Sequence, residues 1–238
     1  MSGSSEITGG MTERVVRVFM LVDTSTSMRG NKIGTLNTAM RDVVPVMRDA
    51  EADSSRGTIE VQVLEFSSGS RWQNDQPINI QQFQWTDLVA NGTTDMGSAF
   101  TKLGDALAES VMPRNAFPPV IILVTDGQPT DNYRAGLDKV NAQRWSKPAI
   151  RCAISVGPGT NEAMLREFLG NEEWPLLPAK NVEDLKQYIQ WATVALSQMS
   201  STPLSSQNPP DPGGGGGDVT NAMPTPPEPS TQPPSDVW

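Results

Sequence analysis

Residues 15–28 read VVRVFMLVDTSTSM, and the fold turns on how that stretch divides. Its first eight residues, Val15 to Val22, are mostly aliphatic and β-branched, the composition of a strand buried inside a parallel sheet. Directly behind it, Asp23, Ser25 and Ser27 place a carboxylate and two hydroxyls at i, i+2 and i+4, where the chain leaves the sheet at its carboxyl edge. Ligands of open α/β sheets bind at that edge. Oxygen donors converging in a turn suit a hard divalent cation such as Mg²⁺. The same residue types also crowd ordinary loops as turn formers and helix caps, so this segment alone does not establish a site.

Working outward, strand-like and helix-like segments alternate. Asn31 to Ala50 carries apolar residues at Ile33, Leu36, Met40, Val43, Val44 and Met47, close to helical spacing, with Pro45 expected to kink it or mark its last turns. Ile59 to Phe66 alternates Ile59, Val61 and Val63 with Glu60 and Gln62, as in a half-exposed strand near a sheet edge. Ser67 to Ala90 is polar and predicts a short strand and loop, with Trp72 and Trp85 as candidate partner contacts. A helix over Met96 to Val111, a central strand over Val120 to Val124 and a helix over Asn132 to Arg144 follow. Ile150 to Val156 alternates apolar residues with Arg151 and Ser155, predicting a strand with one side on the core. A helix over Asn161 to Leu169, a short strand over Leu176 to Ala179 and a helix over Val182 to Met199 complete the pattern. Such alternation signals a largely parallel sheet covered by helices.

Residues 1–13 are Ser/Gly-rich and read as a disordered lead-in, residues 14–200 as the folded domain. Residues 201–238, rich in proline, glycine and small polar residues, read as a disordered tail that cannot bury enough apolar surface to offset the cost of ordering. Its simplest role is a flexible spacer; the sharper one is docking of its proline-rich part or of Asp236-Val237-Trp238 on a partner.

Composition narrows the chemistry. The 238 residues include no histidine and a single cysteine, which removes Ser–His and Cys–His catalytic pairs and the common zinc sites. Cys152, in an alternating apolar stretch, reads as a buried thiol. The net charge of −9 argues against unaided binding to nucleic acid or anionic lipid. No stretch approaches the roughly 20 apolar residues of a membrane span, and no secretory h-region stands at the N-terminus, so the expected location is cytoplasmic.

Two further segments reach the same sheet edge. Asn91-Gly92-Thr93-Thr94-Asp95-Met96 precedes a predicted helix, and Thr125-Asp126-Gly127 ends the central strand. Together with Asp23-Thr24-Ser25-Thr26-Ser27 they resemble, in order and spacing, the metal-ion-dependent adhesion site of von Willebrand factor A domains. The resemblance implies a doubly wound, mostly parallel sheet with one antiparallel edge strand and helices on both faces. It implies a metal held by Asp23, Ser25, Ser27, Thr94 and Asp126, with Thr93 the alternative to Thr94. The cofactor would be Mg²⁺, with Mn²⁺ or Ca²⁺ as alternatives. A protein partner would supply an Asp or Glu carboxylate to the open coordination position, and the chain would not be an enzyme. The stretches VDTSTSMRGNKI, TTDMGSAF, PPVIILVTDGQPTDNY and AISVGPGTNEAMLREF further resemble TerY-type proteins of bacterial tellurium-resistance operons. That implies an adaptor or regulator whose partner is a kinase or phosphatase of the same operon. One departure stands out: Thr26 lies where the family often has glycine, predicting weaker metal binding.

Two readings compete. An aspartate ending a first strand also begins haloacid-dehalogenase-type phosphatases, which would make Asp23 a nucleophile; those enzymes usually need a second aspartate where this chain has Ser25. A structural scaffold with an empty site is the other. Nucleotide binding lacks support: there is no phosphate-binding G-x-x-x-x-G-K-[ST] loop, and in Gly157-Pro158-Gly159 the proline removes an N–H a phosphate would use. Asp95 reads as an acid favourable at a helix start, Asp131 as a helix N-cap or part of the site's rim.

Overall fold

The structure is a computed structural model describing residues 14–52, 57–201 and 224–229. Its strands are β1 (Val15–Asp23), β2 (Thr58–Ser67), β3 (Gly69–Trp72), β4 (Ile78–Asn79), β5 (Val120–Thr125), β6 (Ile150–Val156) and β7 (Leu176–Ala179). Its helices are α1 (Asn31–Ala52), α2 (Met96–Ala106), α3 (Tyr133–Ala142), α4 (Glu162–Leu169) and α5 (Val182–Ser201).

The sheet order is β3-β2-β1-β5-β6-β7, with β4 pairing β2 beside β3. From β2 to β7 all neighbours are parallel, while β3 and β4 run antiparallel to β2. The chain winds outward from β1 through β2 and β3, then returns to β5 on the other flank of β1. The crevice between the carboxyl ends of β1 and β5 is therefore the topological switch point, where open α/β sheets bind ligands.

Strand alternation divides the core in two. Val18, Met20 and Val22 of β1 and Val120, Ile122 and Val124 of β5 face one layer with residues of α1 and α5. Phe19, Leu21, Ile121 and Leu123 face the other, with residues of α2, α3 and α4. Both faces being covered explains why β1 and β5 are continuous apolar runs.

The structure revises several expectations. β6 is buried along its whole length, Arg151 and Ser155 included. It lies between β5 and β7 with helices on both faces, so the guanidinium of Arg151 is satisfied internally by the carbonyl of Phe168 and the side chains of Asn141 and Ser146. β2 is second from the edge, and Gln62 on its polar side is buried, its amide donating to the carbonyls of Asn74 and Asp75. Helix α1 continues past Pro45 to Ala52, with the ring on the exposed side. Helix α2 stops at Ala106, where the chain tightens into turns ahead of Pro113.

Trp72 and Trp85 serve the fold. Trp72 packs against Phe19 at 6.2 Å between ring centroids, and Trp85 lies on the first core layer with its indole N–H donating to Asn37. Cys152 is a fully buried core residue whose thiol is pushed up by burial, as an inert thiol would be. The lead-in and most of the tail lie outside the described residues; within 224–229, Pro224, Pro226 and Pro227 are half-buried.

Candidate metal centre

The five residues singled out by sequence meet at the switch point. Asp23 ends β1 and is 0% exposed. One of its carboxylate oxygens accepts from the backbone N–H of Ser25 at 2.8 Å, the other from the hydroxyl of Thr125 at 2.6 Å. The hydroxyls of Ser25 and Ser27 stand 2.9 Å apart, and Ser27 donates to Asp126 Oδ1 at 2.7 Å. Thr94 approaches from the loop before α2. Its hydroxyl, Asp23 Oδ2 and Ser27 Oγ lie 3.4, 3.7 and 3.7 Å from the point where a Cβ on Gly127 would fall. Three donor oxygens, two from the first segment and one from the second, thus surround one small space on the third, which the side chain missing at Gly127 leaves clear.

The loops are tied to one another. Gly92 has φ 89°, and a side chain there would meet Ser68 Oγ at 2.6 Å, so the turn requires glycine. Its carbonyl accepts from both the N–H and the hydroxyl of Thr26, at 3.0 and 2.9 Å. Thr26 itself adopts no left-handed backbone angle. The backbone strain expected of a branched residue there is absent, and its hydroxyl adds a link between the first and second loops. Thr94 and Thr130 clamp each other, N–H of Thr94 to the Thr130 hydroxyl and N–H of Thr130 to the Thr94 carbonyl, at 3.0 and 2.9 Å.

Asp95 accepts from the N–H of Gly69 and the hydroxyls of Thr93 and Thr130, which hold its carboxyl below the usual range. It braces loops as well as opening α2. Asp131 caps a helix other than the one that follows it. Its two oxygens accept from the N–H groups of Gly97 and Ser98 in the first turn of α2, while Asn132 caps α3.

Lys32, in the first turn of α1, escaped the sequence reading. Its ammonium stands 2.6 Å from Asp126 Oδ2, with the Asp126 side chain 0% exposed and that of Lys32 18% exposed. A cation in the first turn opposes the helix dipole; that mismatch was the signal available in the sequence.

The donor set fits a hard divalent cation. It comprises two carboxylates and three hydroxyls, all oxygen, and among the described residues no group of three or more His, Cys, Asp or Glu side chains forms an alternative centre. Burial, and to a lesser extent the neighbouring Asp126, push the carboxyl of Asp23 above its ordinary value of 3.8, against the lowering effect of its hydrogen bonds from Thr125 and Ser25. A carboxylate whose folded pKa is raised costs stability at pH values above that pKa, and the cost fades as pH falls through it toward the unfolded value. Asp23→Asn is accordingly expected to melt higher than the parent at pH 7 in chelator, with the gap closing on acidification. A variant that melts lower at pH 7 would show the carboxylate to be a net structural asset.

Known proteins share this fold. No curated protein matches the chain. Among solved structures, a von Willebrand factor type A protein from Catenulispora acidiphila matches at 15% identity and TM-score 0.57, over 76% of this chain and 42% of that one. The ArnB paralog VWA2 from Sulfolobus acidocaldarius matches at 19% identity and TM-score 0.55, over 74% and 44%. Proximal thread matrix protein 1 from the mussel byssus, with a zinc-occupied MIDAS motif, matches at 20% identity and TM-score 0.58, over 78% and 46%. The chain thus spans less than half the length of each of these three, and at such identities the likeness is one of fold. The family model for the von Willebrand factor type A domain matches residues 18–191, from the first buried strand into the last helix, and the chain belongs to that family.

Proposed function

We propose that this chain is a metal-dependent protein-recognition module. In it Asp23, Ser25, Ser27, Thr94 and Asp126 hold one divalent cation at the switch point, and a partner protein supplies an Asp or Glu carboxylate. The observation that carries this reading is the convergence of Asp23 Oδ2 and Ser27 Oγ of the first loop and Thr94 Oγ1 of the second on the space in front of Gly127, with Asp126 of the third loop tied to Ser27 beside it. Domains of this family commonly serve as metal-dependent protein-interaction modules. When bound, the cation supplies a Lewis-acidic centre with a coordination position for an incoming carboxylate.

The chain's own residues set up that centre. Thr125 and the Ser25 N–H fix the orientation of Asp23, Ser27 bridges the first loop to Asp126, and the Thr26–Gly92 and Thr94–Thr130 links fix the loops that carry the donors. Such preorganisation reduces the ordering cost of binding. Mg²⁺ is the first choice for an all-oxygen set, with Mn²⁺ and Ca²⁺ as alternatives; the mussel relative adds Zn²⁺ to the ions worth testing.

A non-enzymatic role is supported by the state of Asp23. Buried, with both carboxylate oxygens engaged, it is poorly placed as a phosphatase nucleophile. A cytoplasmic setting and a kinase or phosphatase partner within a tellurium-resistance system rest on the sequence resemblance alone. Among the described residues no helix is long and apolar enough to cross a membrane.

The test is a pull-down from cytosolic extract with the purified protein, run with Mg²⁺ and with chelator, beside Ser25→Ala. The expected result is a protein retained only with metal and intact Ser25. Retention that ignores both would sink the reading.

A further inference from the structure

We propose that Lys32 is a built-in competitor for the metal: its ammonium holds the Asp126 carboxylate that a divalent cation must share, and loading the site exchanges one cation for the other. The inference rests on the metal-site reading and adds a residue to it that is not a ligand.

Lys32 lies in the first turn of α1, where its charge opposes the helix dipole, so its placement needs a local reason. That reason is Asp126 Oδ2 at 2.6 Å, on a carboxylate whose side chain is 0% exposed. The other oxygen of Asp126 accepts from Ser27, the residue that links it to the donor cluster. Lys32 therefore grips the far side of the group whose near side faces the metal donors.

Charge counting then favours exchange over coexistence. Asp23 and Asp126 give two negative charges behind a largely buried wall. A divalent cation alone balances them; with the ammonium still in place the cluster would carry a net positive charge away from water, which is costly. Lys32 can leave cheaply. Its side chain is already 18% exposed, and a long aliphatic stem lets the ammonium reach solvent while the stem stays packed.

Calorimetric titration of Mg²⁺ into the parent, Lys32→Met and Lys32→Arg decides the matter, with melting curves in chelator to confirm that each variant folds. Lys32→Met is expected to bind Mg²⁺ about 10-fold more tightly than the parent, as removal of one close positive charge implies, and Lys32→Arg within about 3-fold of the parent because it keeps the charge. In the parent, amine labelling of Lys32 read by mass spectrometry is expected to rise several-fold on adding Mg²⁺, as the ammonium leaves Asp126. If the parent binds Mg²⁺ and Lys32→Met binds it equally or more weakly, or if the labelling ignores Mg²⁺, Lys32 is a structural partner and the inference fails alone. If neither parent nor Lys32→Met binds a divalent ion, the inference falls together with the metal-site reading.

Discussion

Gly136→Ala is expected to destabilise the domain by about 2 kcal/mol and to lower its melting temperature by roughly 4–8 °C. The cause is the contact between α2 and α3. A Cβ at Gly136 would stand 2.3 Å from the carbonyl oxygen of Gly97 and 2.9 Å from Phe100 Cβ, and one at Gly97 would stand 2.6 Å from the carbonyl oxygen of Asn132. Backbone meets backbone there, so no side-chain rotation relieves the clash and the helices must separate. Overpacking of this kind costs about 3 kcal/mol at its upper end, while alanine returns about 1 kcal/mol through better helix propensity. The same substitution at Gly34, in α1, has the opposite expected sign, a gain of up to about 1 kcal/mol, because nothing lies within 4 Å of a Cβ there. Thermal melts of the two variants check both; a Gly136→Ala that melts with the parent would show that α2 and α3 do not approach this closely. Because Asp131, just ahead of α3, caps α2, separation of these helices is also expected to loosen the loop that carries Thr94.

Asp126→Ala is expected to remove the stabilisation by metal while leaving a folded domain. At a free Mg²⁺ concentration 100 times its Kd, a single-site ion stabilises the folded parent by about 2.7 kcal/mol, a rise in melting temperature of roughly 5–10 °C for a domain of this size. The variant should show no rise and should lose its partner together with its metal. It keeps its fold because Asp126 lies in the turn after β5, outside the two apolar layers, and because Lys32, left without its carboxylate, can turn its ammonium to solvent. Melting curves in Mg²⁺ and in chelator provide the readout. Unfolding of the variant at room temperature would assign Asp126 a structural role, and an undiminished response to Mg²⁺ would remove it from the donor set.

What the sequence determined is what neighbouring residues decide among themselves. The buried strands were legible because β1 and β5 are continuous apolar runs, and most helices because their apolar spacing follows the helical repeat. The D-T-S-T-S loop after β1 and the T-D-G turn after β5 named the candidate donors, since each segment's distance from its strand end is fixed along the chain. The tertiary structure decided what depends on partners far away in sequence. It alone paired Lys32 with Asp126 across 94 positions, directed the Asp131 carboxylate to a helix begun 35 residues earlier, buried Arg151 by covering both faces of β6, and gave Gly136 and Gly34 opposite needs. The reason is physical: propensity and periodicity act within a few residues, whereas the burial of a charge, the satisfaction of a carboxylate and the room for a methyl group are set by whichever segments the sheet order brings together.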